Sequence, residues 1–286
     1  MLPEVIAMFS AMGWAGDSIL IRLGIRRSSI LAAMFLSFVV TAICITTYLL
    51  SFYSSRTFKS PAILYFVISG CVQPLVARAL YYTGITRLGV ARAGPLRGAE
   101  PLFAAVIAVA FLQERPSLWV YVGTILIVAS LWLISGRQAG ETRWRLMDTA
   151  FPLGAGLVSA LSQTLRKQGL TILPDPFIAA FTVTLTSLTL LSIFLIITKR
   201  TRLLRMERSS FFYFLAAAFL ATGAQVCNFI ALGRAEVSVI IPLLNTTPLF
   251  TVLFTVVFLR KLETVGPRII LGATLMVTGV ALITSR

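Results

Sequence analysis

Arg97 and Glu100 lie three residues apart near the start of an apolar stretch, VARAGPLRGAEPLFAAVIAVAFLQERP, that runs from Val90 to Pro116. On a helix this spacing puts both side chains on one side, so an ion pair is available. A charge within hydrocarbon is costly and faces a cavity or a partner. The pair therefore has two readings, an anchor for substrate or a proton in a polar pathway, or a structural link between packed helices. Arg78 is of the same kind: it can attract a carboxylate, pair with Asp17 or Glu100, or snorkel toward an interface. Asp17, late in the first apolar stretch, is either a cavity or gating residue or an interfacial partner of Arg22.

Uncharged polar residues extend the set. Gln163, Gln225, Asn228 and Asn245 can hydrogen-bond amide, carboxylate or hydroxyl groups, and Gln225 and Asn228 are one helical turn apart. Trp14, Tyr81, Tyr82 and Phe229 could supply ring surface to the same cavity, although most rings in such a chain face lipid or pack between helices. Pro95, Pro101, Pro242 and Pro248 are candidates for helix distortion or gating, because proline lacks an N–H and bends the turn before it.

The elements that must position these residues are membrane helices. Of 286 residues 58% are hydrophobic and 12% charged, and the mean hydropathy is +0.92. That composition belongs to an all-α polytopic membrane protein. There is no histidine, which excludes His metal sites and His general bases. Cys44, Cys71 and Cys227 are scattered through apolar runs and read as small hydrophobes rather than metal ligands or a disulfide framework. With no P-loop or dinucleotide pattern, no metal and no bound cofactor are expected, and an enzyme finds little support. The formal charge of +15 falls largely in short links, where anionic headgroups explain it without nucleic acid. The first apolar stretch lacks a basic leader and a small-residue cleavage pattern, so it is expected to be a retained helix.

Hydrocarbon about 30 Å thick needs roughly 20 helical residues, and on that ruler ten segments are predicted: 3–21, 30–53, 61–84, 90–112, 117–135, 149–169, 177–198, 210–232, 237–259 and 266–284. The fourth and ninth are versions of each other. Setting Pro95 on Pro242 also sets Leu96 on Leu243, Pro101 on Pro248 and Phe103 on Phe250, and the third segment falls on the eighth in the same register. The chain thus divides into a first five-helix repeat (1–135), a linker (136–148) and a second five-helix repeat (149–286). An odd number of helices per repeat inverts the second relative to the first.

The stretches PLFAAVIAVAFLQERPSLWVYVGTILIVASLWLIS and PLFTVLFTVVFLRKLETVGPRIILGATLMVTGVALIT resemble the closing third of an EamA repeat of the drug/metabolite transporter superfamily. The Pro-Leu-Phe core, Glu114 and Gly123 carry the likeness, which extends over both repeats. Glu114 keeps the family's acidic residue near the end of the fourth helix, whereas its counterpart is blurred into Lys261-Leu262-Glu263. Arg97 and Glu100 are replaced by Leu244 and Thr247 in the second copy. The resemblance implies ten helices around a central cavity between the repeats, and a secondary active transporter working by alternating access on small metabolites, amino acids or related polar and amphipathic compounds. Export is the favoured direction, H+ the coupling ion if there is one, and the bacterial inner membrane the location. The alternative is a transporter-like scaffold or receptor that does not transport. Expected partners are a small-molecule substrate and membrane lipids; ten helices suffice for a monomeric pathway, and a dimer is left open. The family places both termini in the cytoplasm, but Lys and Arg crowd the odd-numbered links, which by the positive-inside rule puts the termini outside.

Overall fold

A computed structural model describes residues 3–52, 60–100, 102–103, 118–135, 144–234, 243–244, 246–259, 262 and 265–284. Every regular element among them is helical: α1 (Pro3–Gly24), α2 (Ile30–Phe52), α3 (Ala62–Val72), α4 (Leu75–Leu88), α5 (Val90–Arg97), α6 (Leu118–Ser135), α7 (Ala150–Ile172), α8 (Pro176–Ile197), α9 (Arg208–Arg234), α10 (Thr247–Phe258) and α11 (Pro267–Thr284). Short 3-10 turns occupy Leu146–Thr149 and Thr201–Leu204. The protein is an all-α, largely membrane-spanning bundle. Five spans have the length and apolar composition to cross a bilayer among the described residues: Pro3–Gly24, Ile30–Ser51, Ala62–Leu88, Pro176–Ile197 and Arg208–Ala231. α7 has the length, but its sequence carries Gln163, Arg166, Lys167 and Gln168.

Local sequence explains the ends and interiors of these helices. α8 starts where Asp175 accepts hydrogen bonds from the main-chain N–H groups of Phe177 and Ile178, both at 3.0 Å, with Pro176 in the first turn. There a missing N–H costs nothing. Several hydroxyls within the spans turn inward on their own helix, as Thr47 Oγ1 does to the Ile43 carbonyl and Thr186 Oγ1 to the Thr182 carbonyl. They need no other role.

The third predicted segment is two helices, not one. The chain is extended at Gln73, and Pro74 begins the next turn without an N–H to return to Gly70. The Gly70 carbonyl instead accepts from Ser187 Oγ of α8 at 2.6 Å. Substituting one side-chain donor for one lost main-chain donor is what makes a break tolerable inside a membrane bundle.

The fourth predicted segment is likewise interrupted. α5 contains Pro95 and ends at Arg97; Gly98 and Ala99 form a turn, and helix resumes at Glu100. Gly89, with φ of 82°, makes the corner between α4 and α5, a conformation that favours glycine. Pro248 lies in the first turn of α10, so within the described residues it starts a helix rather than bending one. Pro101 and Pro242 lie outside the described residues, as do Asn245, Glu114 and Lys261.

Packing joins the two sequence halves throughout. α1 lies on α9 and α10, α7 on α3, α4 and α5, α2 on α8 and α9, α3 on α8, α5 on α10, and α6 on α11. Small residues permit the closest approach. A Cβ at Gly13 would stand 2.9 Å from Ala224 Cβ, and beside it Ser10 Oγ donates to the Ala224 carbonyl at 2.8 Å. The largest core cluster includes Ile19 and Ile21 of α1, Met34 and Phe38 of α2, Tyr82 and Ile85 of α4, Leu191 of α8 and Phe214 of α9.

Candidate functional site

Where the α3–α4 break meets α1, α5, α7 and α9, the helices enclose a small cavity. Its lining includes Trp14 and Asp17 from α1, Gln73 at the break, Arg78, Tyr81 and Tyr82 from α4, Arg97 at the end of α5, Arg166 from α7 and Gln225 from α9. The free space is about 20 Å³, room for roughly one water molecule. Asp17, Arg78, Arg166 and Gln73 are 2, 6, 5 and 8% exposed, so these polar groups are held within the bundle and not at its rim.

The three arginines are held differently. Arg166 Nε donates to Ser69 Oγ at 3.0 Å and its Nη2 to the Gln73 carbonyl at 3.0 Å, while the Phe229 ring lies 5.3 Å from its Cζ. Arg78 Nη1 donates to Ser37 Oγ at 2.6 Å, and its guanidinium sits between Trp14 at 5.1 Å and Phe38 at 5.4 Å. Arg97 lies 4.9 Å from the Tyr81 ring. Stacking on rings stabilises a desolvated cation by about 0.5–2 kcal/mol and leaves its N–H edges free. The Nε atoms of Arg78 and Arg97 have no hydrogen-bond partner among the described residues, nor does Gln73 Oε1.

Two carboxyl groups temper this positive charge. Asp17 accepts from Tyr82 Oη at 3.1 and 3.4 Å and lies in the fields of Arg78 and Arg97. Glu100 lies in the fields of Arg97 and Arg166 and takes a hydrogen bond from the Gln163 side chain. Tyr81 Oη meets Ser18 Oγ at 2.9 Å, which fixes the ring under Arg97. Gln225 Nε2 donates to Thr184 Oγ1 at 2.9 Å.

Most residues singled out by type in the sequence are thus gathered at one place. Trp14, Asp17, Arg78, Tyr81, Tyr82, Arg97 and Gln225 line the cavity. Glu100 stands behind Arg97. Phe229 lies beneath Arg166, and Asn228 is buried outside the lining with Oδ1 unpartnered. Asp17 contacts Tyr82, whereas Arg22 donates to the Ile85 carbonyl at 3.1 Å. Pro95 is buried in α5, and Pro248 packs where a Cβ on Gly98 would stand.

Two polar lining residues were not singled out from the sequence, Gln73 and, more informatively, Arg166. Grouped with Lys167 at the end of the sixth segment, it read as part of a basic link; α7 continues to Ile172 and carries Arg166 inside. A signal was present. Ser159, Ser162, Gln163 and Arg166 are spaced i, i+3, i+4 and i+7, one polar stripe along a face of the helix. Its serines bond the break directly, Ser162 to Ser69 at 2.7 Å and Ser159 to Gln73 Nε2 at 3.0 Å.

Outside the spans, the start of α7 is tied to the end of α4. Arg87 Nη1 contacts Asp148 Oδ1 at 2.7 Å, and the Arg145 main-chain N–H donates to Asp148 Oδ2 at 2.8 Å. That N–H bond, together with the Arg87 guanidinium, holds the Asp148 carboxyl below its usual range. Among the described residues no cluster of His, Cys, Asp and Glu could hold a metal ion.

Comparison with known proteins agrees with this architecture. One solved structure, a crystal structure whose title says only that it is of a protein, shares 13% identity at a TM-score of 0.68, covering 98% of this chain and 95% of that one. That likeness concerns the fold. No curated protein matches the chain in sequence. The model of the EamA-like transporter family matches residues 1–136 and again 149–285. A family of membrane transporters, not enzymes, therefore claims almost every residue, and the chain belongs to the EamA-like transporter family.

Proposed function

We propose that the protein is a secondary active transporter that moves small polar metabolites, amino acids or related compounds, by alternating access through the cavity around Arg78, Arg97 and Arg166. The observation that carries this reading is the cavity's composition: charged and hydrogen-bonding side chains from both sequence halves converge within a bundle that otherwise buries apolar surface. Intramembrane charges that face a shared cavity mark a substrate or ion pathway.

The helix contacts support ten helices in two inverted five-helix repeats, residues 1–135 and 149–286 about a linker. Exchange α1 with α7, α2 with α8, the α3–α4 pair with α9, α5 with α10, and α6 with α11. The pairing of α1 with α9 then becomes that of α7 with α3 and α4, α2–α9 becomes α8–α3, and α1–α10 becomes α7–α5, while α2–α8, α5–α10 and α6–α11 map onto themselves. A pseudo-two-fold axis in the membrane plane produces such a pattern. A cavity of about 20 Å³ is too small for a metabolite, so loading requires the repeats to move apart on one side. The interrupted segments at Gln73–Pro74 and Gly98 are where such motion would hinge, with Pro95 and Pro248 beside the second. Asp17 and Glu100 are the carboxyl groups available for coupling to H+. Export across a bacterial inner membrane is the direction and place this reading favours.

The test is counterflow in proteoliposomes. Vesicles loaded with an unlabelled amino acid mixture should accumulate labelled amino acid, and Arg97→Gln should reduce the initial rate by tenfold or more. No counterflow across a panel of amino acids, organic acids and cations by correctly folded protein would remove the transporter reading.

A further inference from the structure

We propose that segments 25–29 and 199–208 together form a binding surface for the headgroup of an anionic phospholipid, which joins the α1–α2 connection to the α8–α9 connection. This surface lies outside the cavity and does not depend on what the protein carries.

The spans fix the depth of both segments. Pro3–Gly24 and Ile30–Ser51 flank the first, and Pro176–Ile197 and Arg208–Ala231 flank the second, so each begins and ends at the edge of the hydrocarbon, where headgroups lie. Together they carry seven cations, Arg26, Arg27, Lys199, Arg200, Arg202, Arg205 and Arg208, against one acid, Glu207. That acid is engaged by Arg27 at 2.8 Å. The other six cations are exposed, and none of them makes an ion pair or a side-chain hydrogen bond among the described residues. Their mutual repulsion is relieved by no internal partner and would be relieved by an external anion.

The surface is built rather than loose. Lys199 takes a left-handed φ of 53° and the Arg200 N–H returns to the Leu195 carbonyl at 2.9 Å, which closes the end of α8. Ser29 Oγ donates to the Leu203 carbonyl, and Ser28 Oγ accepts from the Glu207 N–H at 3.2 Å. Leu204 and Met206 pack on the largest core cluster. The main chain beneath the cations is therefore already ordered, and a ligand need immobilise only side chains.

Apolar surface directly below the charges favours a lipid over an acidic protein or peptide. Ile196 and Ile197 end α8 and Phe211 and Phe212 lie near the start of α9; Ile197 is 74% and Phe212 58% exposed. Leu203, among the cations themselves, is exposed too. A phosphate held by the arginines would lay its acyl chains along this belt, which an acidic peptide in water would leave uncovered. Basic clusters beside membrane spans attract anionic headgroups, by about fivefold in affinity for each cation.

The experiment titrates the purified full chain, in a neutral detergent, with short-chain phosphatidylglycerol or with phosphatidylcholine of the same acyl chains, and reads the unfolding midpoint. Phosphatidylglycerol should raise the midpoint saturably, with half of the effect at a concentration at least about tenfold lower than phosphatidylcholine requires, and salt should weaken it. The triple variant Arg200→Gln/Arg202→Gln/Arg205→Gln should raise that concentration about tenfold or more, and Arg26→Gln about fivefold. Arg234→Gln, an exposed cation at the other end of α9, should leave it unchanged. An equal response to the two lipids, or a phosphatidylglycerol response that neither variant weakens, overturns the proposal. So does the same stabilisation by inorganic phosphate, which would make this a plain anion site, or by polyglutamate, which would make it a surface for an acidic partner. A response weakened by the triple variant and untouched by Arg26→Gln overturns the joining of the two connections. If the triple variant does not fold, the comparison of Arg26→Gln with Arg234→Gln decides.

Discussion

Arg166 Nη2 donates to the main-chain carbonyl of Gln73 at 3.0 Å, so a side chain of the second half holds open the helix break of the first. The same guanidinium reaches Ser69 Oγ at 3.0 Å, one turn before the break. Replacing Arg166 by Met keeps the stem and removes both bonds, stranding a buried carbonyl. We expect Arg166→Met to lose about 2–3 kcal/mol of stability, the cost of unmaking buried hydrogen bonds to a charged donor, seen as a lower unfolding midpoint in detergent. Arg166→Lys should recover part of it. A midpoint unchanged by Arg166→Met would show that the break needs no such support.

Much of this was legible in the sequence, for identifiable reasons. That the chain is an all-α membrane bundle follows from apolar run length, and five of the predicted spans reappear among the described residues as helical spans long and apolar enough to cross a bilayer. Asp17, Arg78 and Arg97 were legible because charge in an apolar run is conspicuous. Arg166 was not, since Lys167 and Gln168 beside it imitate the polar end of a helix. Nor did the sequence tell what holds each arginine: Ser69 and Ser37 are ordinary membrane serines until the fold sets one against Arg166 and the other against Arg78. The break at Gln73 was hidden for a related reason. Proline is common in membrane helices, and it takes the Ser187 hydroxyl and the Arg166 guanidinium, each about a hundred residues away, to satisfy the carbonyls of a full interruption.

Gly94 and Gly98 let α5 cross α10 at close range. A Cβ on Gly98 would stand 2.5 Å from Pro248 Cγ and 3.0 Å from the Pro95 carbonyl oxygen, while one on Gly94 would stand 2.6 Å from Thr251 Cγ2. Thr251 can turn its methyl away, but a proline ring and a carbonyl cannot yield. Gly98→Ala should therefore cost about 1–3 kcal/mol through overpacking and Gly94→Ala less. Gly223→Ala in α9, where a Cβ meets nothing within 4 Å, should be neutral or gain up to about 1 kcal/mol from helix propensity. Thermal midpoints of the three variants give the order, and Gly98→Ala as stable as wild type would contradict the crossing.

Asp148 ties the start of α7 to Arg87, and its carboxyl is held below the ordinary value of 3.8 by the Arg145 N–H and by Arg87. A carboxylate with a lowered native value contributes stability that is complete above the unfolded value and is lost as pH falls through the native one. The advantage of wild type over Asp148→Asn should thus be constant at neutral pH and down to about 5, then shrink below about 4. Unfolding midpoints of both proteins from pH 7 to 3 measure it. The effect should be small, because Arg87 is half exposed and water screens the pair. An advantage that grows on acidification would reverse the assignment.

Two surface segments, 25–29 and 199–208, lie on one face of the bundle. Arg27 pairs with Glu207 at 2.8 Å, Ser28 Oγ accepts from the Glu207 N–H at 3.2 Å, and Ser210 Oγ donates to the Gly24 carbonyl at 2.9 Å. Arg26, Arg27, Lys199, Arg200, Arg202, Arg205 and Arg208 are therefore gathered at one membrane surface, and Arg166, once placed in the cavity, no longer offsets them on the other. Positive-inside bias then puts this face in the cytoplasm and the N-terminus of α1 outside, against the orientation the family leads one to expect. A single cysteine at position 202 in a cysteine-free chain should resist a membrane-impermeant maleimide in intact cells and react after permeabilisation, while one at Glu4 should react at once. The reverse pattern would mean that the basic face is outside, and that family topology outweighs the charge of these two segments.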